Sequence, residues 1–155
     1  MSRYELFEHR FVVSAPIAAV AAFHYDSAAF RRLVPPGLLL QVHQQEPLAD
    51  DSVNDFTMWM GPIPVHWRAA HSEVSETGFV DTQVAGPLKS WVHRHTFECV
   101  SSQETAVVDC IDFEHFTGWR GIRSRALFAR IGLRVLFAWR ARATRRGVQF
   151  TCHNA

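Results

Sequence analysis

A tryptophan and two histidines alternate along one strand-like stretch of the chain, GPLKSWVHRHTFECV at residues 86–100. Successive side chains of a strand point to opposite faces of a sheet. The side chains that share one face here are Trp91, His93, His95 and Phe97. Arg94 and Glu98 mark the opposite face as the one in contact with water. A plain core would use Leu, Val and Ile, so this mixed face predicts the wall of a partly polar cavity.

Carboxyl and amide side chains on the neighbouring strand-like runs could reach the same face. Asp81 and Gln83 alternate in the run before it, and Asp109 lies in the run after it. A buried carboxylate is costly unless it is paired, and an imidazole is a suitable partner. The direction of Asp81 stays open at this point, because the residues that alternate with it could equally form the inner set and a one-residue slip flips a strand.

Three kinds of chemistry suit these residue types. The first is ligand binding, in which aromatic walls surround a few polar groups that fix orientation. The second is acid–base catalysis of an aldol-type cyclisation, dehydration or isomerisation, with His93 and His95 held by a carboxylate. The third is a zinc site, because two imidazoles lie about 7 Å apart along one strand and Asp81, Asp109 or His115 could add a third ligand.

We expect the first of these, with no metal and no other cofactor, because no second spaced His/Cys motif supports a metal site. The catalytic alternative would use His93 and His95. Other histidines, such as His66 and His71, are expected to be strand or loop residues without chemistry. The predicted ligand-binding residues are Trp59, Trp67, Asp81, Gln83, Trp91, His93, His95, Asp109 and Phe113.

The pattern of the chain predicts the elements that position these residues. A strand over Tyr4–Val13 precedes two short helices, one in SAPIAAVAAFHYD with Ser14 as its cap and one in DSAAFRRLV with Asp26 or Ser27 as its cap. Runs rich in Val, Phe, Trp and Thr, separated by turn residues, then predict six antiparallel strands. These strands lie at about residues 38–46, 53–60, 65–75, 79–85, 89–100 and 105–115.

The last third of the chain predicts one long amphipathic helix from about Arg120 to Arg146. Arginines on its polar side are expected to face water and not nucleic acid, because acidic residues elsewhere balance them. Leu133 and Phe137 lie off the main apolar stripe, where they either contact a partner chain or widen the buried face. The residues assigned to that main stripe are Leu127, Phe128, Ile131, Val135 and Trp139.

This order of elements predicts an α+β protein with the helix-grip fold. A seven-stranded, curved antiparallel sheet is expected to wrap around the long C-terminal helix, with two short helices after strand 1. Residues 1–155 are expected to form a single domain, since the length suits one compact unit. A cavity would remain between sheet and helix wherever the facing side chains do not fill the space.

Several stretches of the chain carry a resemblance to a known family: SAPIAAVAAFH, LVPPGL, GFVDTQVAGPLKSWVHRHTFE, TAVVDCIDFEH and LFAWRARATR. Together they resemble the START/Bet v 1-like (SRPBCC) superfamily, in particular its bacterial cyclase/dehydrase-like branch. The pattern over residues 79–97 resembles a subgroup called cell-division inhibitors, whose members occur alone or fused to an epimerase-like domain. The resemblance implies a hydrophobic cavity for a lipid, polyketide or isoprenoid-like ligand, in a protein that either only binds or also catalyses.

We therefore expect the protein to bind a hydrophobic or amphipathic small molecule between its sheet and its C-terminal helix. One alternative is a polyketide cyclase/dehydrase-type enzyme that uses a His/Asp acid–base pair. A second alternative is an interaction module that works beside an epimerase-like partner. The expected partner is the small hydrophobic molecule itself, and a homodimer is left open.

Composition and charge argue against several other classes. The formal net charge of +1 provides no overall field that would recruit nucleic acid or an anionic membrane. No run of about 18 apolar residues predicts a membrane span, and the N-terminal stretch MSRYELFEHRFVV lacks the apolar region of a signal peptide. Cys99, Cys110 and Cys152 lack the CxxC spacing of a redox or metal motif, so we expect reduced thiols in a cytoplasmic protein.

Overall fold

The computed structural model of the protein describes residues 4–153, with side chains as far as residue 149, so the side chain of Cys152 lies outside the described part. The elements follow the predicted order. They are β1 (Glu5–Val13), α1 (Ile17–Tyr25), α2 (Ser27–Arg32), β2 (Leu38–Gln45), β3 (Val53–Met60), β4 (Ile63–Ser75), β5 (Gly78–Ala85), β6 (Ser90–Ser101), β7 (Glu104–Glu114), α3 (Gly118–Leu127) and α4 (Arg130–His153). The predicted α+β helix-grip class is confirmed.

All seven strands form one antiparallel sheet in the order β1-β7-β6-β5-β4-β3-β2. Strand β6, which carries the alternating Trp and His residues, therefore lies inside the sheet between β5 and β7. Its alternation agrees with the prediction, since Trp91, His93 and Phe97 are buried while Arg94 and Glu98 are exposed. The inner face of the sheet is covered by α4 and the two short helices.

The two short helices begin differently from one another. Helix α1 follows Pro16, which has an extended backbone and supplies no side-chain cap, so the prediction of Ser14 as the cap is wrong. Ser14 lies two residues too early, because a turn closed by the Ala15 amide and the Val13 carbonyl separates it from the helix. Helix α2 is capped as predicted by Asp26, whose carboxylate accepts a hydrogen bond from the Ala28 amide at 2.9 Å.

The C-terminal helix differs from the prediction in two ways. It is broken at residues 128–129 into α3 and α4, and its buried face is not the predicted one. Leu133 and Phe137 are 2% and 0% exposed, whereas Ile131 and Val135 are 70% and 65% exposed. The prediction carried the phase of Leu127 and Phe128 across the break, where the helical phase is reset. Leu133 and Phe137 are therefore core residues and do not form a partner-facing pair.

The apolar interior divides into two clusters of buried side chains. The first, which we term the closed core, lies between α1, the sheet and the C-terminal half of α4. The second, which we term the cavity-side core, lies between strands β3–β7 and the N-terminal half of α4. The closed core includes Phe11, Val13, Val20, Phe23, Phe97 and Val148. The cavity-side core includes Phe56, Trp67, Trp91, Phe113, Leu133 and Phe137.

Among residues 4–153, no helix combines the length and the apolar character that crossing a membrane would require. Cys99 and Cys110, the two cysteines with described side chains, are free thiols.

Candidate functional site

A cavity of about 150 Å³ lies beside the cavity-side core, between the sheet, α1, α2 and the N-terminal half of α4. Its wall is largely aromatic, with Phe30, Phe56, Trp67, Phe79, Trp91 and Phe137. Its polar lining residues at the inner end are His24, His71, Asp81, His93, His95 and Arg140. An apolar cavity of about 150 Å³ is large enough to bind benzene, so this volume suits a ligand with at least one ring.

The strand register explains how the polar residues come together. In the antiparallel pairs, His93 lies opposite Asp81 on β5, and His95 lies opposite Asp109 on β7. Directly opposed residues project from the same face of a sheet. Asp81 lines the cavity, so its strand points the aspartate inward, and the direction that the sequence left open is resolved.

One buried carboxylate, Asp109, holds both histidines of β6. Its Oδ1 atom accepts a hydrogen bond from His93 Nε2 at 2.9 Å. The same oxygen lies 3.1 Å from His95 Nδ1, although without the alignment of a full hydrogen bond. Burial alone would raise the pKa of Asp109, but these two imidazoles hold its pKa well below the usual range. Asp109 is therefore an ionised support behind the cavity wall.

The histidines around this support are uncharged at neutral pH. Burial, together with the neighbouring His93, lowers the pKa of His95 to about 4. Burial likewise lowers the pKa of His24 to about 4. His24 Nδ1 lies 2.8 Å from the Val20 carbonyl, and a carbonyl can only accept. The proton of His24 is thus on Nδ1, which leaves Nε2 as a hydrogen-bond acceptor.

Asp81 has the opposite character to Asp109. Its Oδ1 atom is buried and has no hydrogen-bond partner among the described side chains. Burial raises the pKa of Asp81 above its ordinary value, although His95, His71 and Arg140 oppose the rise. A carboxyl group that tends to keep its proton can donate a hydrogen bond into the cavity.

Asp81, His93 and His95 each place one potential metal ligand within 4.8 Å of the other two. The orientation of the histidines by a carboxylate behind them is also seen at metal sites. One feature opposes a cation here, since the guanidinium of Arg140 lines the same inner end of the cavity. We therefore interpret the trio as a hydrogen-bonding cluster, and the absence of a metal stays a prediction.

A second cavity, of about 260 Å³, lies on the outside of the molecule between α3 and the start of β4. Trp119, which is 72% exposed, and Arg123 form much of its wall. Although it is larger, it is lined by His66 and by none of the histidines and aspartates of the inner cavity. The inner cavity is therefore the better candidate site.

The nine predicted site residues fall into three groups. Those that line the cavity are Trp67, Asp81, Trp91, His93 and His95. Asp109 and Phe113 lie behind the wall, where Phe113 packs against Trp91 with ring centroids 5.8 Å apart. Trp59 and Gln83 do not reach the cavity.

Local geometry explains the two misplaced residues. Phe56 and Met58 of β3 line the cavity, so Trp59 points to the outer face, where its indole N–H lies 3.4 Å from the Gln41 side-chain oxygen. Gln83 shares a face with Asp81, but its side-chain amide donates to the Leu88 carbonyl at 2.8 Å. This hydrogen bond stabilises the turn between β5 and β6, and the Gln83 side chain does not face the cavity.

Sequence reasoning missed three polar residues of the site. His24 lies at the end of α1, and the only feature of the sequence that pointed to it was a polar residue in a largely apolar helix. His71 was expected to have no chemistry, yet it is buried, lines the cavity and hydrogen-bonds to Ser52 Oγ at 3.0 Å. Arg140 is one turn beyond Phe137 on α4, and only the correct helical phase shows that it faces inward.

Comparisons with known proteins show the fold. No protein-family model matches the chain, and no curated protein matches it. Among solved structures, the Zhui aromatase/cyclase from a Streptomyces species has a TM-score of 0.75 at 14% identity, over 95% of this chain and 94% of that chain. Norcoclaurine synthase from Thalictrum flavum, in complex with dopamine and hydroxybenzaldehyde, has a TM-score of 0.69 at 11% identity, over 96% and 88%.

A third similar structure, Ara h 8.0201, has a TM-score of 0.64 at 11% identity and covers 95% of this chain and 99% of that chain. These neighbours are Bet v 1-like helix-grip proteins, so the coarse resemblance seen in the sequence is confirmed at the level of the fold. The finer assignment to the cell-division-inhibitor subgroup stays a prediction.

Proposed function

We propose that the protein binds a small molecule with an apolar, ring-containing body in the cavity between sheet and α4. The observation that carries this proposal is the joint presence of aromatic walls and inward-facing polar groups, of which Asp81 Oδ1 and Arg140 Nε have no partner among the described side chains. Native proteins leave few buried polar atoms unsatisfied. A ligand that hydrogen-bonds to them would relieve this cost.

The aromatic wall determines which body the ligand can have. Trp67 and Trp91 meet edge to face with ring centroids 5.3 Å apart, and Phe128 closes on both of them at about 6 Å. Flat apolar surfaces of this kind favour ring systems over long flexible chains. The similar Thalictrum enzyme is described with two single-ring molecules, which agrees with a ligand of that size.

A cyclase/dehydrase-type enzyme is the second candidate, and the Zhui aromatase/cyclase neighbour supports it. His95 would be the base and Asp81 the acid. However, the pKa of about 4 for His95 makes it a weak base at neutral pH, and efficient general bases have a pKa near the working pH. Binding is therefore the function that the geometry supports better.

The test uses 2-naphthalenemethanol, a neutral two-ring probe, and measures its binding by isothermal titration calorimetry. Ala69 lines the cavity, so Ala69→Leu should fill part of it and weaken binding at least about tenfold. The matched control is Ala126→Leu at an exposed position of α3, which should leave the affinity unchanged. Equal affinities for all three proteins, or no binding by the wild type, would contradict the proposal.

Native mass spectrometry of the freshly purified protein complements this titration. A retained organic molecule that is lost in Ala69→Leu would identify the ligand class directly. A retained molecule that persists in Ala69→Leu would place the binding site elsewhere.

A further inference from the structure

Arg140 is the only lysine or arginine among the described residues that line the cavity. It projects from the inner side of α4, and its guanidinium carbon lies 5.1 Å from the ring centroid of Phe137. Arginine keeps its charge in proteins. The inner end of an otherwise aromatic cavity therefore carries one permanent positive charge.

This charge has no counter-ion in direct contact. Among the described side chains, Arg140 takes part in no hydrogen bond or ion pair, and its Nε atom is buried without a partner. Arg140 is half-buried as a residue, and a charge that is partly removed from water without a partner is destabilising. Natural cores rarely contain such a group unless it serves a function.

The two nearby carboxyl groups do not fill this role. Asp109 already contacts both His93 and His95 through one oxygen. Asp81 keeps a buried oxygen without any partner, so it is not paired with the guanidinium. The unpaired cation and the unpaired carboxyl group both belong to the cavity lining.

We propose that the ligand carries a single acidic oxygen group, a carboxylate or an ionised phenol or enol, which Arg140 binds at the inner end of the cavity. This inference rests on the proposed function and adds the chemical class of the ligand. A guanidinium presents several N–H donors in one plane, which suits a carboxylate especially well.

The other titratable residues of the cavity lining favour a ligand group with a single negative charge. Burial lowers the pKa of His24, His93 and His95, so these three are neutral at pH 7, and Asp26 and Glu46 lie among the lining residues. A phosphate or a dicarboxylate would bring two charges to a site with one cation and further acidic residues. The expected ligand is thus an apolar ring system with one acidic group.

The experiment compares two probes with the same ring system, 2-naphthoate and 2-naphthalenemethanol. Both are titrated at neutral pH in the presence of EDTA, so that no metal held by Asp81, His93 and His95 can bind the acid. We expect the wild type to bind the acid about 10- to 100-fold more tightly than the alcohol. A further titration with 2-naphthol at rising pH distinguishes an ionised phenol from a carboxylate.

Arg140→Met keeps the length of the side chain and removes its charge. It should remove the preference for the acid, so that the acid and the alcohol bind with affinities within about twofold of one another. The matched control is Arg142→Met at an exposed position of the same helix, which should keep the preference. Because Arg140→Met removes a half-buried charge without a partner, we expect the ligand-free variant to be about as stable as the wild type.

Equal affinities of the wild type for the two probes, or a preference that survives in Arg140→Met, would overturn the inference and leave the proposed function standing. A preference that appears only when zinc replaces EDTA would also overturn it, because the acid would then be bound by metal. Failure of both probes to bind would overturn the proposed function itself, and the inference with it.

Discussion

The closed core and the cavity-side core are built from the same two layers, yet they differ in how completely the space is filled. In the closed core, Val20, Phe97 and Val148 are almost fully buried, and an added Cβ at Gly147 would lie 2.1 Å from the ring of Phe23. Beside the cavity-side core, about 150 Å³ is left open. Apolar packing gives way there to aspartate, histidine and arginine.

This difference indicates which part of the interior serves stability and which serves function. The closed core is a cluster of buried apolar side chains that pack closely together. Such packing is typical of a core whose role is to stabilise the fold. The cavity lining instead contains buried polar atoms without partners. Proteins tolerate such features mainly at functional sites. The following predictions test this contrast, in order of decreasing effect.

The largest effect is expected from removing a ring of the closed core. Phe97→Ala should lower the free energy of unfolding by about 3–5 kcal/mol, since the surrounding side chains cannot close the gap. Phe30→Ala, at the half-buried cavity wall, should lower it by only about 1–2 kcal/mol. Urea unfolding at pH 7.5 measures both. Equal losses would show that the two regions are packed alike.

The second effect is a loss of stability at acidic pH. The pKa of His24 and of His95 is lowered to about 4 by burial. As the pH falls, these histidines therefore bind protons in the unfolded chain before they do so in the folded protein. Stability is fully present above about pH 6.5 and should fall as the pH drops towards 4, by up to about 3 kcal/mol for each histidine. The pKa of Asp109 is also lowered, so this aspartate reduces the stability of the fold only below about pH 4.

Urea unfolding between pH 7.5 and pH 4.5 should show this loss in the wild type and a smaller one in His24→Gln and His95→Gln. Val13→Ala, in the closed core, should lower the free energy of unfolding equally at both pH values. A pH slope that is the same in the histidine variants and the wild type would contradict the account of the buried neutral imidazoles.

The third effect comes from adding a methyl group or two. Gly147→Ala should cost about 1–3 kcal/mol, because the new Cβ would overlap the ring of Phe23. Ala69→Val, at the cavity lining, should change the stability by less than about 1 kcal/mol, because open space lies beside it. Thermal and urea unfolding of both variants measure these two changes in stability. A larger loss for Ala69→Val would contradict the contrast.

The smallest effect is a gain. Asp81→Asn should raise the stability by about 1 kcal/mol at pH 8, because it removes a buried carboxyl group without a partner. The pKa of Asp81 is raised, so its carboxyl destabilises the fold increasingly as the pH rises through that value. The gain should therefore be smaller at pH 5. A loss of stability at pH 8 would show that Asp81 has a stabilising partner.

The sequence predicted the parts of the site that depend on local alternation. Residues 91–97 alternate so clearly that the inward direction of Trp91, His93 and His95 followed from the strand period. Whether the side chains of Asp81 and Trp59 point into the cavity depends on the phase of their strands, which is set by the register with the neighbouring strands. The sequence did not determine this phase for either strand. In the structure Asp81 lines the cavity and Trp59 does not.

Arg140 shows a different limit. Its role depends on the break at residues 128–129, which resets the helical phase between Leu127 and Leu133. A continuous helix predicts that Ile131 and Val135 are buried, whereas both are exposed. At the break, Phe128 packs against Trp67 and Trp91, and neither residue 128 nor residue 129 is Gly or Pro.

The most direct test of the central claim is an NMR titration of ¹⁵N-labelled protein with 2-naphthalenemethanol. The account predicts shifts of the indole N–H signals of Trp67 and Trp91 and of the amides of residues 91–95. The amides of Val20 and Val148 in the closed core should stay in place. Shifts centred on Trp119 at the outer cavity, or in the closed core, would contradict it.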